Sequence, residues 1–211
     1  MTYIKNISAI VLFASFCSFA GIDLKIGGGL NLSNETYSGD YKLPTALIKS
    51  MHVGFNAGAS AAIHFSTQMG IVGGLSYETR GSEMNLDAAD PGASGYDPRF
   101  MPWVYSMSYL QIPVHFSYWP IPALAIALGP ELGIFIDGKS KDGGESGTLQ
   151  ISTIDLGASL TVDYTFANIL AVGAGYYLGF LNNDGSPAAD VNKGGIKNSN
   201  IKLFVAYVLH L

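Results

Sequence analysis

Ionisable side chains recur on one parity of an alternating pattern in this 211-residue chain. They are Lys25, Glu78, Arg80, Glu131, Asp137, Asp155, Asp163 and Lys202, joined by His52, His64 and His115. Carboxylates and cations held together away from water serve either as a path for ions and protons or as a mutually neutralised plug, because an isolated charge there is costly. The plug is the expected arrangement. Glu131, nearest the middle of its segment, is its expected centre, with Arg80 or Lys202 as counter-ion and Glu78 and Asp155 on the same face. His115 and Ser117 are residue types of a nucleophilic site. Asp87, Asp90, Asp97, Asp184 and Asp190 are types that bind divalent cations, but no segment has the Asp-x-Asp-x-Asp-Gly spacing of a calcium loop. No catalytic residue, metal or other cofactor is assigned.

The elements that must position these groups are legible in the composition. The chain is 48% apolar and only 13% charged, with 26 glycines and 12 tyrosines, which excludes disorder. Mean hydropathy is +0.28, yet past the N-terminus no run reaches the roughly 20 apolar residues of a spanning helix. A net charge of −5 gives no footing for nucleic acid. Residues 1–20 read as a signal peptide: Lys5 gives a positive start, Ile7 to Phe16 an apolar centre, and Ser18-Phe19-Ala20 a small-x-small cleavage site. Phe16 stands where a lipoprotein signal needs a small residue before its cysteine, so Cys17 is not expected to carry lipid. The domain proper, 21–211, would then hold no cysteine and no disulfide.

Period-two alternation runs through this domain. Leu24, Ile26, Leu30 and Leu32 oppose Lys25, Gly27, Gly29 and Asn31, and Val53, Phe55, Ala57 and Ala59 oppose His52, Gly54, Asn56 and Gly58. Six further runs follow, centred near Leu75, Ile112, Leu128, Leu160, Val172 and Val205. Eight strands are expected, joined alternately by short connections (Ser66–Met69, Trp119–Pro122, Ala167–Asn168) and long ones (Asn34–Ser50, Gly81–Ser106, Gly138–Gln150, Leu181–Ser199). The long ones carry most of the acids; those left in strands are assigned to the polar parity, Asp23 excepted. Aromatic residues gather at the short-turn ends (Phe65, Phe116, Tyr118, Trp119, Tyr164, Phe166) and toward the other ends (Tyr77, Tyr109, Tyr176, Phe180).

Alternating connection length, two aromatic girdles and one continuous apolar face are features of a transmembrane barrel. The expected fold is all-β: an eight-stranded antiparallel up-and-down transmembrane β-barrel, with the last strand pairing with the first because lipid tolerates no open sheet edge. The polar face, mostly Gly, Ala and Ser, suits a lumen just wide enough for side chains to fill. A soluble lipocalin-like barrel is the alternative, with the faces inverted around an apolar ligand.

GLSYETRG at Gly74–Gly81, SYLQIPVHFSY at Ser108–Tyr118 and LGPELGIFIDGK at Leu128–Lys139 resemble the small outer-membrane β-barrel proteins called porin-family or PorT-like, common in Bacteroidetes. Gly74, Leu75, Tyr77, Gly81, Tyr109, Leu110, Ile112, Pro113, Gly129 and Gly133 carry the likeness. The resemblance implies an integral outer-membrane protein with both termini in the periplasm, in contact with outer-membrane lipid and the barrel-assembly machinery. It implies location more than task. The leading functional reading is a structural or surface-interaction role through the long loops, with Tyr96, Phe100, Trp103 and Tyr105 of the second long loop as candidates for meeting an extracellular protein or glycan. A small pore comes second and a lipid-modifying enzyme third, since His115 and Ser117 face the lumen near the short-turn end, away from outer-leaflet lipid.

Overall fold

The computed structural model describes residues 21–39, 47–86, 102–142, 145–149, 151–182 and 194–211. Residues 1–20, expected to be a signal peptide, together with Tyr96, Phe100 and the acids Asp87, Asp90, Asp97, Asp184 and Asp190, lie outside them. The described strands are β1 (Ile22–Gly39), β2 (Leu47–His64), β3 (Met69–Leu86), β4 (Trp103–Ile121), β5 (Leu124–Asp142), β6 (Glu145–Thr148), β7 (Ile154–Phe166), β8 (Leu170–Gly179) and β9 (Gly194–His210). All ladders are antiparallel. They run from β1 through β2, β3, β4, β5, β7, β8 and β9 and back to β1, which closes a ring of eight. The short β6 stands outside the ring, paired with the far end of β5 from Lys139↔Thr148 to Asp142↔Glu145.

The alternation decides which face points where. Ile26, Leu30, Phe55, Leu75, Phe116, Leu128, Leu160 and Leu203 lie exposed on the outside, while Asn31, Glu78, Gln111, Glu131, Asp155 and Ser159 are buried in the lumen. A soluble barrel would bury the first set. This distribution is stable only where the outside meets lipid, and the lipocalin-like alternative does not fit it.

The closing seam depends on two glycines. A Cβ on Gly29 would sit 1.8 Å from the Leu203 carbonyl oxygen, and one on Gly27 2.2 Å from that of Val205. The close approach of β1 and β9 along Asp23↔His210 to Gly39↔Gly194 therefore requires residues without side chains there.

Four expectations are corrected. First, β1, β3, β4, β5 and β9 run well into segments expected to be long loops. Beyond the lipid the outward residues become polar, as at Thr36↔Lys197 and Ser106↔Lys139, so the hydrophobic period fades while the hydrogen-bonded ladder continues. Second, Asp137 leaves the lumen. Ser108 pairs with Asp137 but Tyr109 with Phe135, so Ile136 is an extra residue, and the bulge turns both Ile136 and Asp137 outward. Third, Trp119 and Tyr109 belong to no girdle: both are buried inside. Fourth, Asp23 shares the parity of Lys25 and accepts from His64 Nε2 at 2.8 Å and His210 Nδ1 at 2.6 Å at the short-turn rim.

The turn between β7 and β8 takes left-handed backbone at two residues with side chains. Ala167 and Asn168 have φ of 49° and 58°, and Ile169 N donates to Phe166 O at 3.0 Å. This is a type I′ turn, which matches the twist of its strands but places a Cβ-bearing alanine in the left-handed region. Replacing Ala167 by glycine removes a backbone cost of about 1–2 kcal/mol and adds an unfolded-state entropy cost of about 0.5–1 kcal/mol. Ala167→Gly is thus expected to raise the urea midpoint for unfolding from detergent micelles, followed by the faster gel migration of the folded, unboiled barrel; a lower midpoint would contradict the turn assignment.

Candidate functional site

Alternate residues of neighbouring strands project into one lumen, and near its mid-height they meet in a charged layer. Arg80 on β3 is fully buried. Its Nη2 donates to Glu78 Oε2 at 2.9 Å and to Glu131 Oε1 at 3.1 Å, its Nη1 to Asp155 Oδ2 at 3.3 Å, and its Nε again to Glu78 Oε2 at 3.2 Å. Lys202 Nζ on β9 lies 2.5 Å from Glu78 Oε1 and 2.6 Å from Glu131 Oε1. Glu131, Arg80, Glu78, Asp155 and Lys202 are therefore brought together, with Glu131 touching both cations. A guanidinium suits this position because its planar fork reaches carboxylates on β3, β5 and β7 at once.

Neutral groups complete the layer. Asn198 Nδ2 donates to Asp155 Oδ2 at 2.9 Å and to Tyr109 OH at 3.3 Å, and Asn200 Nδ2 to Glu78 Oε2 at 3.4 Å. In the amide orientation that satisfies both its ends, Gln111 accepts from Arg80 Nη2 at 3.1 Å and donates to Glu131 Oε1 at 3.2 Å. The Tyr177 ring lies under the guanidinium, 4.1 Å from Cζ, with the Tyr109 ring at 5.6 Å. The sequence reading does not assign these five to the site; their parity with Glu78 and Glu131 is the signal that marks them.

Other sequence candidates lie elsewhere. Lys25 and Asp163 form a separate pair, 2.5 Å apart, nearer the short turns. Trp103 and Tyr105 are partly buried at the start of strand β4, at the long-connection end. His52 is half-buried near that same end. Ser117 is buried, and its hydroxyl has no hydrogen-bond partner among the described residues.

His115 is tied to the layer through Ser159. The Ser159 hydroxyl lies 2.7 Å from Glu131 Oε2 and 2.8 Å from His115 Nε2. A hydroxyl has one hydrogen, and the carboxylate can only accept it, so His115 Nε2 must be the protonated nitrogen that donates to Ser159. The order is acid, serine, histidine. A nucleophilic triad needs the histidine between acid and serine, with its free nitrogen toward the hydroxyl, and this arrangement has neither. Among the described residues no three His, Cys, Asp or Glu side chains are grouped to hold a metal ion.

The layer is a structural unit whose parts fail together. Arg80→Met leaves Glu78, Glu131 and Asp155 facing one remaining cation, and breaking a buried pair in this way costs about 3–5 kcal/mol. Urea titration of the lipid-inserted protein should show that loss in Arg80→Met, with Glu78→Gln in the same chain recovering part of it. A wild-type midpoint in the single variant would show that the layer does not hold the barrel.

Comparison with known proteins adds the lineage. The described barrel matches the attachment invasion locus protein Ail of Yersinia pestis with a TM-score of 0.50 and 16% identity, over 90% of this chain and 99% of that one. It matches Neisserial surface protein A with a TM-score of 0.52 and 12% identity, over 87% and 96%. At such identities the likeness is one of fold. No curated protein sequence matches the chain. Residues 13–185, by contrast, match the family described as outer membrane protein beta-barrel domain, and the chain, with its closed ring, lipid-facing apolar wall and polar lumen, belongs to that family.

Proposed function

We propose that this integral β-barrel of the bacterial outer membrane acts at its long-connection end as a surface-interaction protein, meeting an extracellular protein or glycan, and that the barrel serves as its anchor. The observation that carries this reading is the charged layer. Arg80, Glu78, Glu131, Gln111, Tyr109 and Tyr177 are all buried at mid-lumen, the arrangement of a lumen occupied by side chains and unlike the open channels of wider barrels. The proposal includes cleavage of the signal near Ala20, periplasmic short turns and termini, and the PorT-like kinship carried by the Leu110-Gln111-Ile112-Pro113 segment. It assigns no enzymatic step, because the hydroxyl proton of Ser159 is committed to Glu131. The candidates Tyr96, Phe100, Trp103 and Tyr105 keep their place in it as contact residues of the second long connection.

Two measurements test it. Folded protein in planar bilayers is expected to give no single-channel steps; resolved steps would put the pore reading first. Replacing residues 87–101 by a short Gly-Ser turn is expected to abolish capture on glycan arrays and immobilised extracellular proteins while the barrel still inserts. Undiminished capture would remove that connection as the contact site.

A further inference from the structure

Among the described residues, cations that point inward are partnered and cations that point outward are not. Lys25 meets Asp163, Arg80 and Lys202 meet the carboxylates of the charged layer, and Lys49 lies over the Tyr37 ring, 4.5 Å from its centroid. Lys139 and Lys141 on β5 and Lys197 on β9 stand on the outside, and no described group bonds to their ammonium groups. All three lie at the long-connection end. At the short-turn end no described lysine or arginine faces outward.

The two lysines of β5 are set among hydroxyls. Pairing places Lys139 between Ser106 on β4 and Thr148 on β6, and Lys141 between Val104 and Ser146. Paired residues share one face of a sheet with Cβ atoms about 4.5–5.5 Å apart. Ser140 and Gly147 occupy the other face, where a Cβ on Gly147 would sit 2.9 Å from Ser140 Oγ. Lys139, Lys141, Ser146 and Thr148 are all exposed. The acids on the outside of β3, β4 and β5 in this region are Asp137, beside Ser108, and Glu83, which accepts from Asn85 Nδ2 at 3.2 Å and stands two strands from Lys141. Neither bonds to a lysine. The short β6 takes no part in closing the ring, and its outward hydroxyls complete this patch.

Height decides what the patch can meet. Ile134 and Ile136 are exposed apolar residues on the outside of β5, and Lys139 follows Ile136 by three positions, about 10 Å of extended strand and less along the membrane normal because barrel strands tilt. The headgroup region of a bilayer is about 5–8 Å deep on each side of the hydrocarbon. Lys139 therefore stands at the level of lipid phosphates. Its Cα and that of Lys141 are about 7 Å apart along the strand, and each ammonium is carried on a flexible four-carbon stem, so both can close on one phosphate.

We propose that Lys139 and Lys141, with Ser106, Ser146 and Thr148 beside them, bind the headgroup of a phosphomonoester lipid whose acyl chains lie against Ile134 and Ile136. The leaflet is the outer one in the orientation proposed above. Charge-assisted hydrogen bonds from the two ammonium groups hold the phosphate, and the hydroxyls take its remaining oxygens. The site lies on the lipid boundary and is independent of the loop contacts of the surface-interaction role.

The probes are dimyristoyl phosphatidate, a phosphomonoester lipid, and dimyristoyl phosphatidylcholine, whose phosphate carries choline, each titrated into the full barrel in detergent micelles and counted by native mass spectrometry. Phosphatidate is expected to bind saturably and about tenfold more tightly, the difference that one charge-assisted contact makes. Lys139→Gln with Lys141→Gln should bring phosphatidate to the level of phosphatidylcholine in protein that keeps the folded gel migration. Thr148→Val should weaken phosphatidate severalfold and leave phosphatidylcholine unchanged. Lys197→Gln, which removes an outward ammonium on β9 and leaves the patch intact, should keep the preference. Equal affinity for the two lipids, undiminished phosphatidate binding in the double variant, an equal loss in Lys197→Gln, or displacement of phosphatidate by excess inorganic phosphate would each overturn the proposal, the last by marking a site for the free anion.

Discussion

Inside a bilayer no water is available to a free N–H or C=O, so a sheet that enters it must leave no edge. The pairing of β1 with β9, from Asp23↔His210 up to Gly39↔Gly194, answers that demand, and the rest of the structure follows from it. The ring closes with eight strands, and a closed ring of eight has a narrow interior. The glycines at the seam are part of the same requirement, since Gly27 and Gly29 stand where a Cβ would strike the β9 backbone. Closure also removes any freedom in register. A slip by one residue would turn every apolar side chain from lipid to lumen at once.

A narrow interior makes strict demands on the charges placed in it. Among the described residues, Glu78, Glu131 and Asp155 bond to Arg80, Lys202 and neutral donors, and all three are almost wholly shielded from bulk water. Buried charges survive when each is paired and hydrogen-bonded. Arg80 meets this condition by geometry, joining β3 to β5 and β7, while Asn198, Asn200 and Lys202 tie the same carboxylates to β9. The layer thus braces the ring from within, across the lumen rather than along the ladders. The same pairing sets the hydrogens of Ser159 and His115: the serine hydroxyl donates to Glu131, and His115 Nε2 donates to the serine.

The sequence conveys the fold well because lipid reads every second side chain. Strands such as β2 and β7 show it plainly, with one face apolar and the other Gly, Ser, Asn or Asp. It conveys strand ends poorly, because outside the lipid nothing enforces an apolar face; Thr36, Lys139 and Lys141 are exposed within continuous strands. The Ile136 bulge was equally hidden. A run of Ile134, Phe135 and Ile136 has no alternation from which to detect an added residue, and only the pairing of Ser108 with Asp137 reveals it. For the site, parity located Glu131 and its partners, but parity contains no information on distance across the lumen. It could not say that Lys25 meets Asp163 rather than Glu131, or that Tyr177 would lie beneath Arg80.

The constraint that shapes the wall also stops at the edge of the lipid, and the strands diverge there. β7 starts at Ile154, opposite Ile134, and β8 stops at Gly179, whereas β5 continues to Asp142 and β9 is paired with β1 as far as Gly194. The wall is therefore tall along β9, β1, β2, β3, β4 and β5 and low along β7 and β8. A rim of unequal height offers connections different starting levels, and these are the segments under least obligation to alternate, close or fill a lumen. In the barrel each polar residue answers to a neighbour across a narrow space. At the rim it answers to water, so the residue types there are free to be set by whatever the protein meets.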